Sequence, residues 1–376
     1  MMTMPRPSES TAVPSCLLLA FELGERIWKL GFTTGVGQRP RLRQIPAGAL
    51  TLLWAEIAEA KRRFKCDPAT PVISCYEAGR DGFWLHRALT AHGVTNYVVD
   101  SSSIEVNRRA RRVKSDRLDL AGLLSLLARY LAGDSRCWRV VRVPSDADED
   151  ARHRHRTREA VQQDRTRLLN RLQGLLATAG VRVAVTATFL ANLATARRWD
   201  GSPLPAGVVA RLTQTWEQLT FVTTQLAALE RTLVPDPATS AGRLATQLQT
   251  LRALGPVGAT VLATEIFDWR RIRNGRELGA LVGLVPAVYQ SGETARDSGI
   301  TRAGNRHVRR VMVQLAWGWR RYQPASALTQ WYQRRFHDGG PRARRIGIVA
   351  LARKLLIALW RYLDQGVLPA GAVLKA

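Results

Sequence analysis

The chain has 376 residues, enough for two domains with a sizeable core in each. Its 56 Lys and Arg against 30 Asp and Glu give a formal charge of +26, which points to a polyanionic partner, because each phosphate contacted releases condensed counterions. No apolar run approaches the ~20 residues of a membrane span, and Cys16, Cys66, Cys75 and Cys137 form no C-x-x-C pair, which argues against a zinc ribbon or finger.

Residues 1–14 are rich in Ser, Thr and Pro and are expected to be a disordered tail. Cys16 to Leu23 reads as a strand and Ile27 to Thr33 as another, joined by the short link Gly24-Glu25-Arg26. The apolar start at Cys16 is too short for a signal core, and Glu22 interrupts it. Leu52 to Phe64 has helical spacing, Pro71 to Tyr76 is a buried-type strand, and Gly82 to His92 is a helix ended by Gly93. Tyr97 to Val99 is a further strand, and a helix follows from Ser115 to Leu131. A hairpin followed by alternating helices and strands predicts an α/β domain over residues 15–140.

The middle, residues 141–239, reads as helical. Val161, Leu168, Leu172 and Leu175 share one helical face, while Leu212, Leu219, Leu226 and Leu233 recur every seven residues. Gly180 and the stretch from Gly201 to Gly207 separate the helices, so a coiled-coil-like hairpin or an ordinary bundle is expected, either of which could serve dimerisation. His153 and His155 alternate within the Arg-rich stretch Arg152 to Arg158, which reads as a solvated basic helix face rather than a metal site. From residue 240 to 376 the chain is mainly helical with Gly-rich connections. Leu254-Gly-Pro-Val-Gly-Ala resembles the turn of a helix-hairpin-helix element, which presents N–H groups to phosphate. Residues 302–321 interleave arginines with Trp317 and Trp319, with Tyr322 next; this mixture suits nucleic-acid contact, although packing is the commoner role of each ring.

Metal-assisted phosphoryl transfer needs carboxylates that converge from separate elements. Glu22 lies near the end of the first strand, Glu77 ends the Val-Ile-Ser-Cys-Tyr strand, and Asp116 and Asp119 stand three apart on one helix face. Singly, each acid is more often a cap or a surface charge. Glu22 is the most informative, because an acid within an apolar strand needs a reason.

The segment Cys75-Tyr-Glu-Ala-Gly-Arg-Asp-Gly-Phe-Trp-Leu-His-Arg resembles a motif of the DEDD-type insertion-sequence transposases of the IS110 family, also called bridge recombinases. So do Val99-Asp-Ser-Ser-Ser-Ile-Glu-Val and Val113-Lys-Ser-Asp-Arg-Leu-Asp. In the C-terminal half, Gly283-Leu-Val-Pro, Gln290-Ser-Gly and Ile300-Thr-Arg-Ala-Gly-Asn-Arg-His-Val-Arg-Arg stand in the family's order and spacing, so the resemblance spans residues 16–335. It implies a RuvC-like N-terminal domain of RNase H fold, a helical coiled-coil middle and a mainly α C-terminal transposase domain. Glu22, Glu77, Asp116 and Asp119 would hold Mg²⁺, as two ions, or Mn²⁺. Ser291 would be a nucleophile that forms a phosphoserine link to DNA. Donor and target DNA, a noncoding guide RNA, and a homodimer assembling to a homotetramer are the implied partners, in a bacterial cytoplasm at the nucleoid.

One departure is Glu22, where the family's usual first acid is Asp; Glu adds a methylene and can still ligate Mg²⁺. Read without the family, Ser291 is a turn residue before Gly292, and Ser298 is the rival nucleophile. Arg108, Arg109, Arg112, Lys114, Arg302, Asn305, Arg306, Arg309 and Arg310 are the expected nucleic-acid contacts. A RuvC-like metal-dependent nuclease using water and a catalytically inactive nucleic-acid-binding copy are the alternative functions.

Overall fold

The computed structural model describes residues 16–35, 38–104, 116–291 and 294–375, in two compact units that divide after Val143. The expected tail at 1–14 and the cations Arg108, Arg109, Arg112 and Lys114 lie outside the described residues.

The first unit is an α/β layer structure. Strands β1 (Leu17–Leu23), β2 (Ile27–Thr33), β3 (Arg41–Pro46), β4 (Val72–Glu77) and β5 (Thr95–Val99) form one sheet in the order β3-β2-β1-β4-β5. The first three pair antiparallel, whereas β1-β4 and β4-β5 are parallel. Helices α1 (Leu50–Arg63) and α2 (Trp84–Ala91) cover one face, where Leu17, Leu19, Phe21 and Tyr76 meet Leu53, Ile57, Leu85 and Leu89. Helix α3 (Asp116–Leu131) covers the other, setting Leu120, Leu123, Leu124 and Leu127 against Leu18, Ala20, Cys75 and Val99. Cover on both faces is why β1 is apolar at consecutive positions. The closeness of α3 is set by Gly31 on β2, where an added Cβ would sit 3.2 Å from Leu124 Cδ1.

Strand β3 was not expected from the sequence. Arg-Leu-Arg-Gln-Ile-Pro is a polar edge segment; Arg41 is nonetheless buried against Phe32, with its guanidinium 2.6 Å from Glu56. Edge position accommodates both the charge and the terminal proline.

The second unit opens with α4 (Asp146–Thr178), started by a capping box in which Ser145 and Asp148 satisfy each other's backbone N–H. It folds back through α5 (Phe189–Thr195) onto α6 (Ala206–Arg231), and Arg158 pairs with Glu230 across the hairpin. The heptad leucines Leu212 and Leu219 are buried with Leu172, Leu176, Phe189 and Leu193, so this part of the seam is spent within the chain. Beyond it come α7 (Ser240–Gln249), α8 (Pro256–Leu262), a π-helical turn (Ala263–Phe267) and α9 (Gly275–Val282). A two-stranded sheet of β6 (Pro286–Ser291) and β7 (Thr294–Ile300) follows, then α10 (Arg306–Tyr322), α11 (Ala327–Phe336) and α12 (Pro341–Gln365). The helix-hairpin-helix-like segment is the turn from α7 into α8, with Leu254 buried and Gly255 as the cap residue. No helix among the described residues is long and apolar enough to cross a membrane.

Candidate functional site

The fold places Glu22 and Glu77 on one face of the first unit's sheet, the face that α3 covers. On β1, Leu18 and Ala20 face α3, so alternation puts Glu22 on that face too. On β4, Cys75 does the same for Glu77. The parallel register runs to Phe21 beside Tyr76, and Glu22 and Glu77 are the next residue on each strand. Asp119 stands beside Leu120 in the first turn of α3, on the helix that covers this face. Asp116 opens the same helix; its side chain lies outside the described residues.

Glu22 carries the informative geometry. It is half-buried and stands opposite Lys29 in the antiparallel register. Its Oε2 is buried with no hydrogen-bond partner among the described residues. An ionised carboxylate has only acceptor sites, and leaving one dry costs about 1–3 kcal/mol or more. A donor or a cation is what such an oxygen lacks, so the residue is compatible with a metal ligand. No three described His, Cys, Asp or Glu side chains converge closely enough to hold an ion.

The second unit holds Ser291 on the β6–β7 hairpin. Ser291 pairs with Thr294 at the turn end, whereas Ser298 lies near the other end, beside the irregular register between Pro286 and Val288. Sequence alone reads Ser291 as a turn residue; its backbone is the last residue of β6, and its side chain lies outside the described residues. The polar run Gln-Ser-Gly-Glu-Thr-Ala-Arg-Asp hides both strands from a hydrophobic-pattern reading.

The base of this hairpin is clasped. Thr301 N–H donates to Val285 O at 2.9 Å, and Asn305 N–H to Leu281 O at 2.8 Å. Gly283 (φ +68°) and Gly304 (φ +92°) sit so close to the opposing chain that a Cβ would lie 2.0 Å from Ala303 O and 2.3 Å from Leu281 O. Only glycine fits there. Asn305 then caps α10: its Oδ1 accepts from His307 N–H and Val308 N–H, and its Nδ2 donates to Glu265 Oε2 at 2.7 Å. The amide is thus engaged inside the protein rather than free for phosphate. Arg309 donates to Val282 O, and Arg310 pairs with Glu159 at 2.6 Å. Arg302 and Arg306 are exposed.

Glu265, which the sequence reading passed over, is the hub of this clasp. It is wholly buried in the π-helical turn. Oε1 accepts from His155 Nε2 at 2.7 Å and Arg156 Nε at 2.8 Å; Oε2 accepts from Arg156 Nη2 at 3.0 Å as well as from Asn305. Burial alone would push this carboxyl up; the hydrogen bonds from His155 and Arg156, with their charges, prevail and hold it well below the usual carboxylate range. A second pair lies alongside, with His307 Nδ1 2.7 Å from Glu159 Oε2. The expected solvated face of Arg152 to Arg158 is corrected here: His155 is buried in this network, and Arg152 is buried over the Trp269 ring.

On α10 the aromatics divide. Trp319 is fully buried and donates to Ser326 Oγ, while exposed Trp317 and Tyr322 lie under Arg320 and Arg321.

Residues 245–332 match the family model described as transposase IS116/IS110/IS902 family, a span that contains Glu265, Asn305 and the β6–β7 hairpin. Over 389 aligned residues the chain is 35% identical to a Sinorhizobium fredii chain named as transposase y4rJ, with 98% of each covered. It is 28% identical to the transposase for insertion sequence element IS1328 of Yersinia enterocolitica, over 56% of this chain and 62% of that one. A family 20 transposase of Pseudomonas aeruginosa is 29% identical, over 60% of this chain and 67% of that one.

Proposed function

The chain belongs to the IS116/IS110/IS902 family of transposases, and from that premise we propose that it cuts and rejoins DNA through Ser291, with Glu22, Glu77, Asp116 and Asp119 holding Mg²⁺. The observation that carries the metal half is the dry Oε2 of Glu22 on the sheet face that also bears Glu77 and α3. Bound there, Mg²⁺ or Mn²⁺ would offset negative charge on a phosphate. The antiparallel β1–β3 meander continued by parallel β4 and β5 supports an RNase H-like reading of this unit.

The serine half rests on the hairpin. Ser291 stands at the turn end of a two-stranded arm whose base is held by backbone bonds, two close glycines and the Asn305–Glu265 contact. A nucleophile on a rigid arm loses little freedom on reaching a phosphate. Ser291 Oγ attacks phosphorus and gives up its proton; a P–O ester bond breaks, and the departing strand end leaves as a hydroxyl. The phosphoserine link conserves the phosphodiester, so a second strand's hydroxyl reverses the step and regenerates the serine. Exposed Arg302 and Arg306, beside the arm's base, would bind strand phosphates. The family premise extends the proposal to a noncoding guide RNA that selects donor and target DNA, and to dimers assembling into tetramers.

Trapping with suicide DNA substrates and Mg²⁺ tests this. The wild-type protein should leave a protein–DNA adduct on a denaturing gel, and Ser291→Ala should leave none. An adduct of equal yield from Ser291→Ala removes the serine from the mechanism. Cleavage that yields only free ends favours a water-using nuclease.

A further inference from the structure

The tip of the α4–α6 hairpin carries the most exposed ring among the large hydrophobics of the described residues. Trp199 is 82% exposed, although a core lies a few residues away: Phe189 and Leu193 are buried beneath the same segment, and Phe189 packs on Trp216 at 4.9 Å. The fold had apolar space for rings here and left this one outside.

The indole is not on a loose loop. Arg197 and Pro203 form an isolated antiparallel bridge. Arg198 N–H donates to Ser202 O at 2.9 Å and Gly201 N–H to Arg198 O at 3.0 Å, with Gly201 at φ +76°. Asp200 Oδ1 accepts from both the N–H and the hydroxyl of Ser202. Trp199 is therefore presented at the apex of a tight turn closed by these bonds. A fixed turn lowers the entropy lost when the ring meets a partner.

Charge selects the partner. Between residues 165 and 211 the chain carries seven arginines, of which Arg167 pairs with Asp164, and one carboxylate, Asp200. That carboxylate is already engaged by Ser202. Arg197 also lines an open cleft of about 480 Å³ with Arg182, Asn192 and the backbone of Gly180 to Ala184. A second copy of so basic a tip would be repelled. An exposed indole in an Arg-rich segment, two residues from a cleft-lining arginine, matches a nucleobase stacked on the ring with its phosphates on the cations.

We propose that this tip is a binding site for single-stranded nucleic acid, with Trp199 stacking on a base and Arg182, Arg197 and Arg198 taking the flanking phosphates. The site requires no catalysis, so it stands or falls apart from the serine chemistry. It lies roughly 35 Å along α4 from His155, at 1.5 Å per residue.

The test uses the full-length protein with 5-iodouridine and 5-iodo-deoxyuridine single-stranded oligomers, duplex competitor being present to occupy other basic surfaces. Photocrosslinking should label the tryptic peptide from Trp199 to Arg211. Trp199→Ala should weaken binding about tenfold at every salt concentration without changing the salt slope, and Trp199→Phe should recover most of the loss. Replacing Arg197 and Arg198 together with Ala should lower the slope by roughly 0.7 per arginine. The stronger of the two oligomers identifies the strand as RNA or DNA. Ser291→Ala should bind and crosslink as the wild type does. The proposal is overturned by unchanged binding in Trp199→Ala, by crosslinks confined to other peptides, or by a change in that variant's oligomeric mass, which would make the ring a protein contact.

Discussion

Glu22 and Glu265 are both acids set within apolar sequence, and the two units treat them oppositely. Glu22, between Phe21 and Leu23 on a strand, keeps a buried oxygen with no partner among the described residues. Glu265, between Thr264 and Ile266, is wholly buried, and every lone-pair direction it needs is met by His155, Arg156 and Asn305. A carboxylate that the protein saturates is a structural fastener. One left dry is a liability to the fold, which a ligand supplied from outside would relieve.

The largest effect that would break this contrast is on Glu22. Glu22→Gln keeps the shape and removes the charge. Strand cleavage with Mg²⁺ should fall by about a thousandfold or more, as when one transition-state electrostatic contact is lost. The melting temperature should hold or rise, because the buried oxygen without a donor no longer belongs to a charged group. A stability loss with cleavage retained, read by circular dichroism and a cleavage assay, would make Glu22 a fastener too.

Glu265→Gln should behave in the reverse sense. Removing the charge leaves Arg156 and His155 facing a neutral group, at a cost of about 3–5 kcal/mol in unfolding free energy. The pH dependence follows from the depressed carboxyl. Its contribution is complete above the unfolded Glu value of about 4.3 and is lost as pH falls below that toward the folded value. Urea unfolding between about pH 6 and 3 should show this loss in the wild type and a flatter profile in Glu265→Gln. Parallel profiles would show that Glu265 is not the group responsible.

In the sequence Glu22 and Glu265 carry the same signal, an acid in an apolar run. Partners decide the outcome, and those of Glu265 come from 109, 110 and 40 residues away, beyond any local pattern. For the same reason His155 and Arg152 were read as solvated, although periodicity placed their helix. The apolar strands were legible: Ile27 to Thr33 coincides with β2, and Cys16 to Leu23 with β1 to within a residue. Strands β3 and β6–β7 were not, since Arg, Gln, Ser and Asp at their positions remove the alternation that marks a strand. The serine motif was visible as residues, but the clasp that gives it a platform exists only once α9, α10 and α4 are assembled.

Asn305 sharpens the comparison at a smaller scale, because it belongs to the fastener by its Nδ2 and to the α10 cap by its Oδ1. Asn305→Ala should cost about 1–2 kcal/mol, the range for a lost N-cap. Asn305→Asp is as good a cap but sets a second carboxylate against Glu265. It should therefore be the less stable of the two at pH 7 and improve on mild acidification. Equal melting temperatures for Asp and Asn at that position would show that the contact with Glu265 carries no weight.

The smallest expected effect separates exposed arginines from engaged ones. Arg306 is exposed on the first residue of α10, whereas Arg309 donates to Val282 O at 2.9 Å and holds the end of α9. If the first serves DNA and the second the fold, Arg306→Ala should leave the unfolding free energy within about 0.5 kcal/mol of the wild type, as exposed substitutions do. It should instead lower the slope of log affinity against log salt by about one, the mark of a single phosphate contact. Arg309→Ala should move in the other direction, with a loss of about 1–2 kcal/mol from an abandoned carbonyl and an unchanged salt slope. Titrations at several salt concentrations, alongside urea melts of both variants, distinguish the two arginines. If Arg309→Ala also lowers the slope, its guanidinium leaves Val282 when DNA binds, and the clasp itself takes part in holding the strand.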